Sequence, residues 1–194
     1  MVQGPLLGAD RRVSRALLRP DRFSEVLSDL GNVQVAVPVL LVMLAYVAWR
    51  GRGSGVGRWW GPPLAASAVT AVLPLLLVPL KEWIARPGTP AVPPGTGYFP
   101  SGHTATAVVA YGGAVVVLWP WLGTSLARRV AVAGGAVPVL GVSYGLVRRG
   151  YHWPLDVVAS WCLGAVLLAV LSAVLSRSTR RSSSGTASRR SGPS

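Results

Sequence analysis

Two histidines are the groups in this sequence best suited to proton transfer and nucleophilic attack. They are His103 and His152, and the chain of 194 residues contains only these two. An imidazole with an ordinary pKa of about 6.5 changes its protonation near physiological pH, so it can serve as acid, base or nucleophile. Asp156 follows His152 by four residues, a spacing that brings both side chains to one face of a helix. A carboxylate at one ring nitrogen fixes the tautomer and raises the basicity of the other nitrogen. The alternative is an ion pair at a membrane surface without a catalytic role.

The stretch Pro100-Ser101-Gly102-His103 has the form of an anion-binding helix start. Ser101 is a favourable N-cap residue, and the free amide groups of the first turn attract anions such as phosphate. Gly102 lets an anion come close to the main chain, because glycine has no side chain in the way. Taken alone, the tetrapeptide is more often an ordinary turn leading into a helix. Its interpretation as a site therefore depends on the neighbouring motifs.

Lys81 and Arg86 form a third cluster, just before Pro87. Two fixed cations suit the charge of a phosphoryl group. Taken alone, Lys81 is typical of a residue that anchors the end of a membrane helix.

The elements that must position these residues are long apolar stretches. Apolar residues make up 51% of the chain and charged residues 13%, and about 20 mostly apolar residues suffice to cross a bilayer. Because lipid offers the main chain no hydrogen-bond partners, such stretches must be helices. We therefore predict an all-α fold, a polytopic membrane helical bundle with about five transmembrane helices, in preference to a buried soluble core. The predicted spans are residues 32–49, 60–80, 102–122, 130–147 and 153–175.

The flanking segments differ from the spans in composition. Residues 14–30 mix apolar and charged side chains, which predicts an amphipathic helix lying at the membrane interface. The tail is rich in serine and arginine, which predicts disorder. The predicted organisation is an N-terminal interfacial segment over residues 1–31, a membrane domain over 32–175 and a disordered basic tail over 176–194.

Five spans place the two termini on opposite sides of the membrane. Ten basic residues fall on the side of the C-terminal tail and nine on the other side. The positive-inside rule then favours a multi-pass protein of the cell membrane with a cytoplasmic tail and both histidines at the extracytoplasmic face.

Composition also excludes two classes of protein. The single cysteine, Cys162, excludes a disulfide-stabilised scaffold. The net charge of +13 is typical of nucleic-acid binders, but here the positive charge lies between long apolar runs rather than along one soluble face. We expect membrane lipids and no nucleic acid as partners, and the sequence does not indicate an oligomeric state.

The three clusters together resemble the type 2 phosphatidic acid phosphatase family, the lipid phosphate phosphatases. The family signature is a Lys, six residues and Arg-Pro; then Pro-Ser-Gly-His; then Ser-Arg, five residues, His, three residues and Asp. The tetrapeptide ending at His103 matches the second part completely, and His152 with Asp156 matches the end of the third. The resemblance covers residues 64–175 and identifies the membrane domain as a phosphatase domain.

Two positions depart from this signature. Lys81 is followed by only four residues before Arg86, whereas the family has six. The Ser-Arg pair of the third part falls at Gly145 and Leu146, so the family arginine is missing. Arg148 and Arg149 stand two and three residues later. Either one of them supplies the missing phosphate contact, which we predict, or the phosphate site is weakened.

The resemblance implies hydrolysis of a lipid phosphate or polyprenyl (pyro)phosphate without a metal ion or other cofactor. His152 would attack phosphorus and form a phosphohistidine, Asp156 would orient His152, and His103 would act as acid and then as base. Bound phosphoryl oxygens would contact Lys81, Arg86, Ser101, Gly102, Arg148 and Arg149. The alternatives are a lipid phosphotransferase and a non-catalytic lipid-binding or transport relative of the family.

Overall fold

The computed structural model describes residues 5–55 and 57–188, and within these ranges every regular element is helical. Two short helices come first, α1 (Pro5–Leu17) and α2 (Arg22–Asp29). Five long helices follow: α3 (Val33–Gly53), α4 (Gly61–Ile84), α5 (Gly102–Leu118), α6 (Ser125–Arg148) and α7 (Pro154–Ser188). A single 3₁₀ turn, Trp119–Trp121, extends the end of α5.

Five helices in the described part of the chain are long and apolar enough to cross a membrane, namely α3 to α7. Each corresponds to one predicted span, so the prediction of an all-α membrane bundle is confirmed. The chain is a multi-pass membrane protein, and a soluble all-α core is excluded.

Helix α5 lies at the centre of the bundle. Of its membrane-spanning window 56% is buried, whereas the other four windows are 17–28% buried. Small residues make this central position possible, because they let neighbouring helices approach closely. At Gly135 of α6, for example, an added Cβ atom would lie 3.3 Å from the main-chain oxygen of Tyr111 on α5. The helix that carries His103 is therefore the most firmly packed of the five.

Because the spans alternate in direction, the predicted site residues collect at one end of the bundle. We call it the site end, and it holds the first residues of α3, α5 and α7 and the last residues of α4 and α6, which are Val33, Gly102, Pro154, Ile84 and Arg148. The main-chain bond from the Arg19 amide to the Arg148 carbonyl, 3.0 Å long, brings the N-terminal segment to the same end.

The N-terminal segment differs from the single amphipathic helix predicted over residues 14–30. The helix is interrupted between Leu17 and Arg22. Pro20 lies in the gap, and proline cannot donate the amide hydrogen bond that a continuous helix requires. Asp21 then starts α2 with a capping box, in which its carboxylate accepts from the Ser24 amide at 2.7 Å. The prediction of one helix is corrected to two.

At its other end the chain stays helical for longer than predicted. Helix α7 continues to Ser188, beyond residue 176 where the disordered tail is predicted to begin. Extending an existing helix costs much less than starting one, which is the physical reason that a polar stretch can follow an apolar span as helix. Residues 189–194 of the predicted tail lie outside the described residues, and the division into three segments stays a prediction.

Candidate active site

His103 lies in the first turn of α5, held by the cap that begins this helix. The Ser101 hydroxyl accepts a hydrogen bond from the Thr104 amide at 3.3 Å, as predicted for an N-cap residue. Ser101 is fully buried, so its hydroxyl shapes the helix start and does not face an open space. At Gly102, by contrast, an added Cβ atom would meet nothing within 4 Å. The first turn of α5 is therefore open at Gly102 and His103.

The His103 ring is bound by a residue that the sequence did not single out. Its Nε2 atom lies 2.6 Å from Oδ1 of Asn32, the residue that precedes α3. The Asn32 amide group is itself oriented, because its Nδ2 atom donates to Oδ1 of Asp29 at 3.0 Å. With the amide nitrogen turned to Asp29, the oxygen faces the ring, so Nε2 of His103 must carry a proton and Nδ1 is the nitrogen left for chemistry.

His152 and Asp156 meet as their spacing predicted. The His152 Nδ1 atom lies 3.3 Å from Asp156 Oδ2, and both side chains are buried. The Trp153 amide donates to the same carboxylate oxygen at 3.1 Å. The ring of Tyr98 lies edge-on to the imidazole, with 6.4 Å between ring centroids. The buried carboxylate therefore fixes the ring through Nδ1 and leaves Nε2 free.

Arg86 lies behind the His152–Asp156 pair and does not line the cavity beside the two rings. One terminal nitrogen of its guanidinium donates to Asp156 Oδ1 at 2.5 Å, and the other donates to Asp10 Oδ2. The guanidinium also lies 5.7 Å from the Trp153 ring centroid, within range of a cation–π contact. Arg86 was predicted to contact phosphate, but in this geometry its two terminal nitrogens bind carboxylates and its side chain is not part of the cavity wall.

Lys81 lies at the end of α4, directly beside the two histidines. Its ammonium donates to the main-chain oxygen of Gly97 at 3.0 Å, a contact that uses one of three available protons. Lys81 also lines the same cavity as the two histidines. Of the two predicted cations, Lys81 is the one that lines the cavity with the histidines.

A cavity of about 760 Å³ joins these groups at the site end. One part of its wall is polar and includes Lys81, Gly102, His103 and His152. The other part is apolar and is built from α3 and α4, with Val37, Leu73, Pro74 and Leu77. The shape suits a molecule with an anionic head and a hydrocarbon chain.

The two arginines expected to replace the missing family arginine lie elsewhere. Arg148 binds Asp21 Oδ2 at 2.8 Å, and Arg149 lies 3.3 Å from Glu25 Oε2. Neither lines the cavity, because both fasten α2 to the end of α6. A hydrogen bond from the Ser24 amide, followed by the contact with Arg148, lowers the pKa of Asp21 to about 2. The prediction that Arg148 or Arg149 reaches the phosphate is therefore corrected.

The structure also explains why position 146 holds no arginine. Leu146 is 1% exposed and belongs to the main apolar core. At the preceding Gly145, an added Cβ atom would lie 2.6 Å from the Ser24 main-chain oxygen. Helix α2 therefore packs against Gly145, where the family motif has Ser, and the side chain at 146, where it has Arg, lies in the apolar core.

Two residues of the site escaped the sequence interpretation. Asn32 is placed beside His103 by the turn between α2 and α3, and Asp10 is placed beside Arg86 by the packing of α1. Neither residue belongs to a recognisable motif. Asn32 is 71 residues away from His103 in the chain, and Asp10 is 76 residues away from Arg86, so no short sequence spacing indicates either contact. Only the presence of Asp10 among arginines, in a chain with six acidic residues, was a weak signal.

The chemistry that this arrangement permits is phosphoryl transfer by side chains. Within residues 5–55 and 57–188, no three His, Cys, Asp or Glu side chains group in a way that could hold a metal ion. The available groups are one imidazole with a free Nε2, a second with a free Nδ1, one cation and an open helix start. They can attack phosphorus, protonate a leaving oxygen and stabilise negative charge.

Comparison with known proteins gives three matches. The model of the PAP2 superfamily matches residues 65–180. An undecaprenyl-diphosphatase from Sulfolobus acidocaldarius is 30% identical over 145 residues, which are 72% of this chain and 63% of that relative. The chain thus spans less than two thirds of the length of this curated relative. The crystal structure of a transmembrane PAP2-type phosphatidylglycerolphosphate phosphatase from Bacillus subtilis is similar with a TM-score of 0.69 and 23% identity, covering 89% of this chain and 87% of that one. This last similarity shows the fold.

Proposed function

We propose that this chain, which belongs to the PAP2 superfamily, is a membrane phosphatase. Its substrate bond would be a phosphomonoester or pyrophosphate bond of a lipid. The observation that carries the proposal is the single cavity lined by both histidines and Lys81 at its polar end and by α3 and α4 at its apolar end. A soluble phosphate ester would need only the polar part.

In this proposal, Lys81 and the start of α5 bind the phosphate. The ammonium of Lys81 contributes a full charge, and the first amide groups of a helix lack partners within the helix. Gly102 leaves the space beside these amides open. Ser101 acts indirectly, since its hydroxyl caps the helix that presents the amides.

In the proposed reaction His152 is the nucleophile. Its Nδ1–H donates to Asp156, so the lone pair on Nε2 attacks phosphorus and a P–N bond forms. The bond from phosphorus to the leaving oxygen breaks, and protonated His103 gives this oxygen its Nδ1 proton. Neutral His103 then takes a proton from water, the resulting hydroxide attacks phosphorus, and the P–N bond breaks to release phosphate.

Asn32 has a defined role in this proposed reaction. Because its oxygen accepts the Nε2–H of His103 in both protonation states, the ring gives and takes its catalytic proton at Nδ1 alone. Asp29 keeps the amide in the required orientation.

The substrate class follows from the apolar part of the cavity. A hydrocarbon chain would lie against Val37, Leu73 and Leu77 while the phosphate meets Lys81. Polyprenyl pyrophosphate, polyprenyl-linked sugar phosphates, phosphatidate and phosphatidylglycerol phosphate all have this chemistry. The relatives support the first and last, since one is an undecaprenyl-diphosphatase and the other a phosphatidylglycerolphosphate phosphatase.

The decisive experiment is phosphate release from a panel of these lipids by the protein purified in detergent. We expect His152→Ala and His103→Ala to abolish release, and Arg129→Ala, an exposed residue at the opposite end of the bundle, to retain it. Release that survives both histidine substitutions would refute the assignment of the site.

The reaction is proposed to need no metal ion. The side chains around the rings offer too few carboxylate oxygens for magnesium, which prefers several hard oxygen ligands. We expect activity to survive a chelator and to be inhibited by vanadate, which mimics pentacoordinate phosphorus. Loss of activity in chelator with recovery in magnesium would contradict this mechanism.

The proposed location is the cell membrane, with the site at the extracytoplasmic face and the tail in the cytoplasm. Arginines at the end opposite the site support this orientation, among them Arg50, Arg52, Arg58, Arg128 and Arg129. In a chain without Cys162, we expect an impermeant thiol reagent to label Pro90→Cys in intact cells and not Gly123→Cys. The reverse labelling would overturn the orientation.

A non-catalytic lipid-binding relative is the second candidate, and the core leucine at position 146 is the observation that favours it. The buried carboxylate of Asp156 opposes it, because an ionisable group that is kept buried beside His152 is costly without a use. Lipid binding without phosphate release from any lipid of the panel would support this second candidate. Transfer of phosphate to an added alcohol in place of water would instead identify a phosphotransferase.

A further inference from the structure

Asp10 is a buried carboxylate on α1, outside the motifs and the reaction described so far. Its side chain is 1% exposed, although α1 is an N-terminal helix at the edge of the bundle. Both oxygens are used: Oδ2 accepts from the Arg86 guanidinium, and Oδ1 accepts from the Leu155 amide at 2.9 Å. Burying a carboxylate is unfavourable unless it is paired in this way.

The contacts of Asp10 lead directly to the proposed nucleophile. The Arg86 guanidinium that donates to Asp10 also donates to Asp156 Oδ1 at 2.5 Å. Asp156 in turn accepts from His152 through Oδ2. The Leu155 amide bound by Asp10 belongs to the residue just before Asp156, in the first turn of α7. Asp10 thus holds both the guanidinium and the helix start that position Asp156.

The charges of this chain of contacts explain why a second carboxylate is needed. Arg86 alone would balance Asp156, and the pair would have no net charge beside the His152 ring. A carboxylate whose charge is balanced stabilises a protonated imidazole less and makes the neutral ring a weaker base. With Asp10 the group has one net negative charge.

We propose that Asp10 is a positioning residue of the active site, which offsets the charge of Arg86 so that Asp156 acts on His152 as a full carboxylate. The inference rests on the proposed function, in which His152 is the nucleophile. It makes α1 a part of the catalytic unit, because the site lacks this charge until α1 is docked on the bundle.

Other charged or titratable groups face His152 from the surrounding elements and must stay constant in a test. They are Lys81 on α4, His103 on α5, Tyr98 in the connection before α5, and Asp156 and Arg86 themselves. None of these residues is itself substituted when only Asp10 is changed.

The experiment is a pH titration of both histidines in the full chain, by NMR of labelled histidine in detergent. The two histidine signals are assigned with His103→Gln. We expect Asp10→Asn to move the titration midpoint of His152 to lower pH, since the negative charge on the far side of the Arg86 guanidinium is lost. The acid limb of kcat/KM for phosphate release should move in the same direction, because fewer protons compete for the nucleophile.

Asp21→Asn is the matched control. Asp21 also belongs to the N-terminal segment and also binds an arginine, but Arg148 has no contact with Asp156. Asparagine is an equally good N-cap, so α2 is preserved. We expect this variant to leave the His152 midpoint unchanged.

A shifted midpoint in Asp10→Asn, with none in Asp21→Asn, supports the proposal, and an unshifted midpoint in folded Asp10→Asn overturns it. If Asp10→Asn does not fold, Asp10→Ser takes its place. If neither variant folds while Asp21→Asn does, Asp10 has a structural role and the proposal is overturned. A shifted midpoint in a chain that releases no phosphate would refute the proposed function and leave the electrostatic link intact.

Discussion

Asn32 offers the sharpest test of the proposed acid–base step, because the hydrogen bonds that its side chain makes in the described part of the protein go to His103 and Asp29. Asn32→Ala removes the acceptor that holds Nε2–H of His103. The substitution removes no helix cap, since the Asn32 side chain makes no capping hydrogen bond to α3. We therefore expect a change in catalysis with little change in stability.

The size of the effect follows from the type of hydrogen bond. His103 is positively charged when it acts as an acid, and a hydrogen bond to a charged group contributes about 1.5–3 kcal/mol. At about 1.4 kcal/mol for each factor of ten in rate, kcat should fall roughly 10- to 150-fold. KM should change little, because Asn32 binds the ring and not the phosphate.

The assay is steady-state phosphate release by wild type, Asn32→Ala and Asp29→Ala, with the thermal unfolding midpoint recorded for each. Asp29→Ala leaves the Asn32 oxygen in place but frees its amide to turn, so the loss should be smaller than for Asn32→Ala. An Asn32→Ala protein that unfolds like wild type and keeps its full kcat would refute the role of Asn32. A loss confined to KM would equally contradict it.

Three further predictions concern packing, pH and substrate binding. Gly145→Ala should destabilise the protein by about 1–3 kcal/mol, because its Cβ atom would lie 2.6 Å from the main-chain oxygen of Ser24 on α2. The control is Gly134→Ala on the same helix, whose Cβ atom would meet nothing within 4 Å and which should not lower the unfolding midpoint. The pKa of Asp21 is lowered from 3.8 to about 2, so its stabilising contribution should be complete above pH 3.8 and lost as the pH falls through 2. The difference in unfolding midpoint between wild type and Asp21→Asn should therefore shrink only in that pH window. A difference that shrinks between pH 5 and 8 would contradict this prediction. Lys81→Met should lower kcat/KM for phosphate release by about 10- to 1,000-fold while the protein still folds, and an unchanged kcat/KM would exclude Lys81 from the phosphate site.

Much of the architecture could be predicted because the membrane restricts the possibilities. A stretch of about 20 apolar residues can only be a spanning helix, and helices that alternate in direction bring every second helix end to the same side. This is why His103 and His152 could be placed together without any tertiary information. The His152–Asp156 contact was predictable from the short separation of four residues, although His152 lies two residues before α7 begins at Pro154 and only Asp156 is on the helix.

The arginines could not be assigned in the same way. Sequence distance suggested that Arg148 or Arg149 would replace the family arginine, and that Arg86 would meet phosphate. In the structure each of them binds a carboxylate of the N-terminal segment: Asp21, Glu25 and Asp10. Those carboxylates precede the first span, and no periodicity relates them to the arginines they bind.

The sequence by itself determined the number of spans, the end at which the histidines meet and the pairing of His152 with Asp156, because each depends on hydrophobicity or on a short separation along the chain. Only the tertiary structure decided that Lys81 and not Arg86 lines the cavity, that Nε2 of His103 contacts Asn32, and that Asp10 on α1 contacts Arg86. These features depend on long side chains whose partners are chosen by the docking of α1 and α2 on the bundle. An arginine can reach several carboxylates from one position in the chain, so its partner is fixed only when the packed helices bring one of them within hydrogen-bonding distance.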